Sequence, residues 1–483
     1  MSIKERPSWQ DLAQQVQAVR DRSIAQIELV VPVLPETLPI RVIDIPRQHL
    51  TPLELVITES HSEALVESLA AGNLTASSVT KAFLRRAAIA RGCCIYELLP
   101  DRAISQARNL DCYSAKHGKP FGPLHGLPIS VKAHIGLEGR DSSAGFVGWI
   151  GRKSAEDANV VKILLKAGAV IYARTTEPQG LVSDHLSVPR SGSGSIRSPV
   201  ANCGLYGLKP STGRVPVIGI SAYAIGCETI LGVIGPMSST LGCINLFMKT
   251  LHPISWQNHE SHIHQSGKSL TVGVMWSDGI CRGLKEVVER LKLVSGIAII
   301  EWKAFWQEEA LEILTKLYIP DGGESFKAHL ELSGEPYTPL TAWAVRDAPG
   351  IEKLSLEGVW DWTSRCEAFR YTYFQEWNSV APDMDVILCP AYPTPAPLHD
   401  TSRYWGVVFS VTKVDTERDA RDVTYIPQNE FDSWCYENYN PQKQKKVPNS
   451  LQLVAKRLED EKLLQALKEI KEKLGLPFVD CLA

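Results

Sequence analysis

Apolar and polar positions along the chain fall into helical and strand periods that can be read in order. Trp9, Leu12, Val16, Val19 and Ile24 recur at helical spacing over 8–25 and predict an amphipathic opening helix. A proline-rich stretch from Val30 to Pro52 follows and reads as an extended arm over the surface. Helices are predicted near 61–71 and 76–91, the second striped with Thr80, Phe83, Leu84 and Ala87. From 127 to 175 the pattern becomes a βαβ unit. Ile129, Val131, Ala133 and Ile135 alternate with Ser130, Lys132 and His134, the period of a strand. Ser154 with Asp157 reads as an N-terminal capping box. Val160, Val161, Leu164 and Leu165 then supply a helix face, Gly168 stops it, and 169–173 returns as a buried strand. Such a unit implies parallel pairing through a right-handed crossover.

Beyond Pro236 the alternation is less regular. Short strands are predicted at 270–274 and 386–388, with a helix at 284–291. Another strand is predicted at 451–454, before a helix carrying Leu463, Leu464, Leu467, Ile470 and Leu474 and stopped by Gly475. No repeat or biased linker divides the chain. The expected fold class is α/β: a single large domain with a central mixed β-sheet flanked by helices. Residues 1–52 form an N-terminal helix and extended arm ahead of a domain spanning 53–483.

Composition narrows the function classes. With 483 residues, 44% hydrophobic, 22% charged and a net charge of −3, the chain has the balance of a globular protein and no electrostatic footprint for nucleic acid. No apolar run reaches the ~18 residues of a membrane span, and the first residues lack a secretory signal pattern. No membrane partner and a cytoplasmic location are therefore expected. The 11 cysteines include no C-x-x-C pair and are expected to be reduced, mostly buried thiols. The 12 histidines form no H-E-x-x-H, so no metal and no other cofactor is called for.

The candidate chemistry lies in two segments. Gly192-Ser193-Gly194-Ser195 sets a serine among glycines, where backbone can approach a reacting carbonyl and aim N–H groups at its oxygen. Upstream, Gly122 to Lys132 ends an apolar run in a lysine, which can act as a base only if desolvated. Each alone has a plain structural reading: the Gly-Ser run as a polar connector, Lys132 as a solvated side chain on the polar face of a strand. Their order around a βαβ unit is more specific.

These segments resemble the amidase signature family, in its fungal acetamidase-type branch. The resemblance is carried by 122–132, Ala173-Arg174-Thr175-Thr176-Glu177-Pro178-Gln179, 194–211, Gly235-Pro236-Met237, 274–279, Tyr404-Trp405-Gly406 and 450–454, from about Leu50 to Gly475. It implies the amidase signature fold, with Ser195 as nucleophile, Lys132 as base and a second serine bridging them. The backbone N–H groups of Gly192, Ser193 and Gly194 would hold the oxyanion. The implied reaction is hydrolysis of a small monocarboxylic acid amide to carboxylate and ammonia, in nitrogen use or secondary metabolism. The partner is then a small-molecule amide, and a homodimer is the assembly left open.

The sequence departs from that pattern in three places. The Gly-Gly-Ser-Ser-Gly-Gly segment with the bridging serine has no counterpart between Gln179 and Ser195. A Pro-rich stretch is missing after Gly279, and aromatic pocket residues are missing after Gly406. Ala133 also stands where the family often has an acidic residue. The gaps have clean edges, which suits the loss of whole coding segments better than drift by point substitution. Ser193 or Ser191 is a local candidate to replace the bridge. The alternative reading is a catalytically impaired relic or a binding protein on the amidase scaffold. An amidotransferase subunit is disfavoured by the C-terminal segments and the absence of a basic patch, and a Ser-His-Asp hydrolase by the absence of a G-x-S-x-G elbow.

Overall fold

The computed structural model describes residues 7–27, 42, 44–90, 94–182, 196–252, 269–276, 282–391, 409–414, 416–421, 424–427, 430–445 and 447–477. The opening helix forms as expected: α1 spans Trp9–Ala25, and its Ser8–Asp11 capping box satisfies the first-turn N–H groups. Helices α2 (Pro52–Glu59), α3 (Ser62–Ala70) and α4 (Ala76–Ile89) follow, α2 and α4 each opened by a threonine cap, Thr51 and Thr75. Strand β1 (Ile95–Leu98) and helix α5 (Pro100–His117) lead to the βαβ unit, made of β2 (Pro128–Lys132), α6 (Asn159–Lys166) and β3 (Val170–Thr175).

These strands form a three-stranded sheet in the order β1-β3-β2. β2 and β3 run parallel with Lys132 opposite Thr175, and β1 closes the edge antiparallel. Val160, Val161 and Leu164 of α6 pack onto the same core as Val131, Val170, Ile171 and Ala173 of the strands and the buried faces of α3–α5. That burial, about 1.5–3 kcal/mol for each fully covered aliphatic side chain, fixes the register of β2 against β3.

The second half builds on a five-stranded sheet. Its approach contains α7 (Arg197–Cys203), the short antiparallel pair β4 (Tyr206–Gly207) and β5 (Met237–Ser238), and α8 (Leu241–Leu251). Then come β6 (Leu270–Val274), α9 (Arg282–Leu291), β7 (Ile297–Glu301), α10 (Gln307–Tyr318), α11 (Glu324–Glu331) and α12 (Pro339–Ala342). The chain continues through α13 (Leu356–Val380), β8 (Val386–Pro390), β9 (Phe409–Lys413), α14 (Glu430–Asn438), β10 (Pro448–Val454) and α15 (Asp460–Leu474). The strand order is β7-β6-β8-β10-β9, parallel from β7 to β8 and antiparallel at β10 and β9. Leu284, Val287, Val288 and Leu291 of α9 share its core with Ala466 and Ile470 of α15. The mixed sheet thus stands, among the described residues, as separate ladders flanked by helices in one α/β domain.

Three local expectations are corrected. Ser154 and Asp157 do not cap α6, which starts at Asn159 after Ala158. The Asp157 carboxylate is committed to Arg102 of α5, 2.5 Å away, and to the backbone N–H of Glu138. Lys132, on the polar face of β2, is not solvated: it is 3% exposed. Of the eight described cysteines only Cys366 and Cys389 are buried. Among the described residues no helix is long and apolar enough to cross a membrane.

Candidate active site

Parallel strands present their carboxyl ends side by side, the usual place for a ligand in an α/β sheet. Here β2 ends in Lys132 and β3 in Thr175, paired in register. Continuing that register by two residues brings His134 and Glu177 together. The His134 Nδ1 lies 3.0 Å from the Glu177 Oε2, and both side chains are almost wholly buried.

Glu177 has three hydrogen-bond partners among the described residues. Its Oε1 accepts the backbone N–H of Gly145 at 2.8 Å and the Ser143 hydroxyl at 3.3 Å. Burial alone would raise its pKa. The bond from His134, with the charges of His134, Lys132 and Arg174, outweighs burial and holds the carboxyl below its ordinary value. An ionised carboxylate only accepts, so the proton between the pair sits on the imidazole Nδ1.

The loop that donates to Glu177 is shaped by close approach. Gly145 has φ +79°, and a Cβ there would stand 2.1 Å from the Pro178 carbonyl oxygen. The same loop holds the turn after β2: the Ser142 hydroxyl and the Ser221 N–H both donate to the His134 carbonyl, at 3.2 and 2.9 Å. Below it Arg174 of β3, 1% exposed, donates to Glu97 of β1 at 2.8 Å and to the carbonyls of Ala133 and Asp141. Ala133 separates Lys132 from His134, so this buried ion pair fixes the backbone carrying both.

Of the residues expected at the site, Lys132 stands in this cluster. Gly192, Ser193, Gly194 and Ser195 lie outside the described residues, as do the junctions after Gly279 and Gly406. The described chain resumes at Ile196, a buried residue just ahead of α7. Helix α7 packs on β10 and β4, on the side of the five-stranded sheet. His134, Glu177, Ser143 and Gly145 were not anticipated as a cluster. The signal was present in the parallel register, because 134 and 177 are each two residues beyond a paired position. Among the described residues no group of three His, Cys, Asp or Glu side chains could hold a metal ion.

Comparison with known proteins places the chain. A sequence model of the Amidase family matches residues 78–193 and 186–464. A putative amidase of Schizosaccharomyces pombe is 32% identical, over 96% of this chain and 99% of its own length. The acetamidase of Emericella nidulans is 30% identical, over 97% of this chain and 98% of its own. Among solved structures, a fatty acid amide hydrolase superposes with a TM-score of 0.85 at 27% identity, covering 99% of this chain and 96% of that one. The fold and these matches define an amidase, a hydrolase acting on C–N bonds. The chain belongs to the amidase signature family and is similar to its fungal acetamidases. The alignment with the S. pombe protein runs over 538 positions against 483 residues here, so it opens gaps in this chain.

Proposed function

We propose that the chain hydrolyses a small monocarboxylic acid amide to carboxylate and ammonia through an acyl-enzyme on Ser195. The observation that carries this reading is Lys132, buried at the carboxyl end of β2 beside the Glu177–His134 pair. Burial supplies the desolvation a lysine base needs. In this mechanism Lys132 takes the Ser195 hydroxyl proton as the serine oxygen bonds to the amide carbon. The N–H groups of Gly192, Ser193 and Gly194 stabilise the oxyanion. The proton passes to the amide nitrogen, the C–N bond breaks, ammonia leaves, and water hydrolyses the acyl-serine. With no bridging serine between Gln179 and Ser195, the proton relay falls to Ser193 or Ser191 or is direct. Residues 53–483 would form the catalytic unit, working in the cytoplasm.

A second reading, a catalytically impaired relic or binding protein on the same scaffold, is favoured by one specific observation. The family match divides into two segments, 78–193 and 186–464, around the place where the bridging serine belongs. A fluorophosphonate probe distinguishes the two. Peptide mass spectrometry should find the adduct on Ser195 in the wild type and none after Lys132→Ala. An unlabelled wild type favours the second reading.

A further inference from the structure

A cavity of about 570 Å³ opens away from the β2–β3 site, between β10, the first turns of α15, and the loops after β4 and around 228–231. Its volume falls within the roughly 300–1,000 Å³ of small-ligand pockets. No residue of 132–145 or 174–182 lines it. One wall is aliphatic, formed by Leu208, Leu453, Leu463, Leu464 and Leu467. The remainder carries five cationic side chains (Arg197, Lys209, Arg370, Lys456 and Arg457) against three acidic ones (Glu228, Glu459 and Asp460), with Arg370 paired to Glu367 outside the lining.

Two of the acids, Asp460 and Glu459, have cationic neighbours outside the cavity lining, Arg214 and Lys462. The Asp460 Oδ1 accepts the Ser211 N–H at 2.7 Å, while its buried Oδ2 has no hydrogen-bond partner among the described residues and lies 4.0 Å from the Arg214 guanidinium. Glu459 lies 3.5 Å from the Lys462 ammonium, and Glu228 is exposed at the rim. Lys456 donates to Asn378 at 2.6 Å. Lys209 differs from these. It is half-buried, and among the described residues nothing stands within hydrogen-bond or ion-pair distance of its ammonium. Burial and the neighbouring charge of Arg197 depress its pKa, with Asp460 opposing. A desolvated cation beside an apolar wall is a costly arrangement that an anion would relieve.

We propose that this cavity binds a carboxylate with an aliphatic tail, its headgroup on Lys209 and Arg197 and its tail along the leucine wall. The site is separate from the β2–β3 centre, and its occupancy does not depend on turnover there. An occupant would touch Arg197, two residues from Ser195, and so bear on the start of α7.

Calorimetric titration with decanoate, with decanol as the neutral counterpart, tests the proposal. Decanoate should saturate one site on the full chain, and decanol should bind at least tenfold more weakly. Lys209→Met should weaken decanoate at least tenfold, the size of a lost charge-assisted hydrogen bond, while Lys209→Arg retains it. Near-UV circular dichroism checks that both variants are folded. The Ser195→Ala, Lys132→Met double variant should bind decanoate as the wild type does, which separates this test from the fate of the amidase mechanism. Absent saturation, equal binding of decanol, unchanged binding by folded Lys209→Met, or loss of binding in the double variant would each overturn the proposal.

Discussion

His134 and Glu177 lie 43 residues apart in sequence and 3.0 Å apart in space, joined because each follows a paired residue of β2 and β3 by two positions. Their contact ties the two strand ends together at the point where Lys132 leaves the sheet. The carboxylate is stabilised by three donors and by surrounding positive charge, so it is a structural anchor as well as an electrostatic neighbour of Lys132.

Glu177→Gln should destabilise the fold by about 1–3 kcal/mol, because the Nδ1 proton of His134 loses its ionised acceptor. The pH dependence should change with it. The folded carboxyl lies below its unfolded value of about 4.3, so its stabilisation is fully present above that value and is lost as pH falls through the folded one. Urea titrations from neutral pH into acid should show a shallower acid loss in the variant. An equal slope in both proteins would remove Glu177 from the acid limb.

Breaking the Arg174–Glu97 pair tests how the backbone of Ala133 is held. Glu97→Ala leaves the Arg174 guanidinium buried without its carboxylate and should cost about 3–5 kcal/mol. Adding Arg174→Met should recover part of that loss, since no unpaired buried charge remains. A double-mutant cycle by chemical denaturation measures the coupling, and strict additivity would refute it.

Gly145→Ala should cost more than the roughly 1–2 kcal/mol of a left-handed backbone alone. The added methyl meets the Pro178 carbonyl at 2.1 Å and pushes the 145 N–H off Glu177. A thermal melt within error of the wild type would contradict the close approach.

Much of the fold was legible because its signals are local. The alternation over 129–135, the aliphatic face of 160–165 and the stop at Gly168 mark β2, α6 and β3 within one stretch of chain, although β2 ends at Lys132 and the chain turns at 133–134. The Gly475 stop of α15 is equally local, a glycine in the left-handed region. The capping box failed because Asp157 finds Arg102, a partner 55 residues away that no local pattern displays. The burial of Lys132 was illegible for the same reason: its 3% exposure is a product of the tertiary fold, which no local pattern displays. Lys132 could be named from its motif, whereas its environment needed the parallel register.

Ammonia release from acetamide and longer carboxamides measures the proposed hydrolysis most directly. The wild-type chain should release ammonia and carboxylate in equal amounts, and Ser195→Ala and Lys132→Ala, each folded by circular dichroism, should abolish release. A folded wild type that releases none, or a Ser195→Ala variant that retains the rate, would contradict the Ser195–Lys132 mechanism.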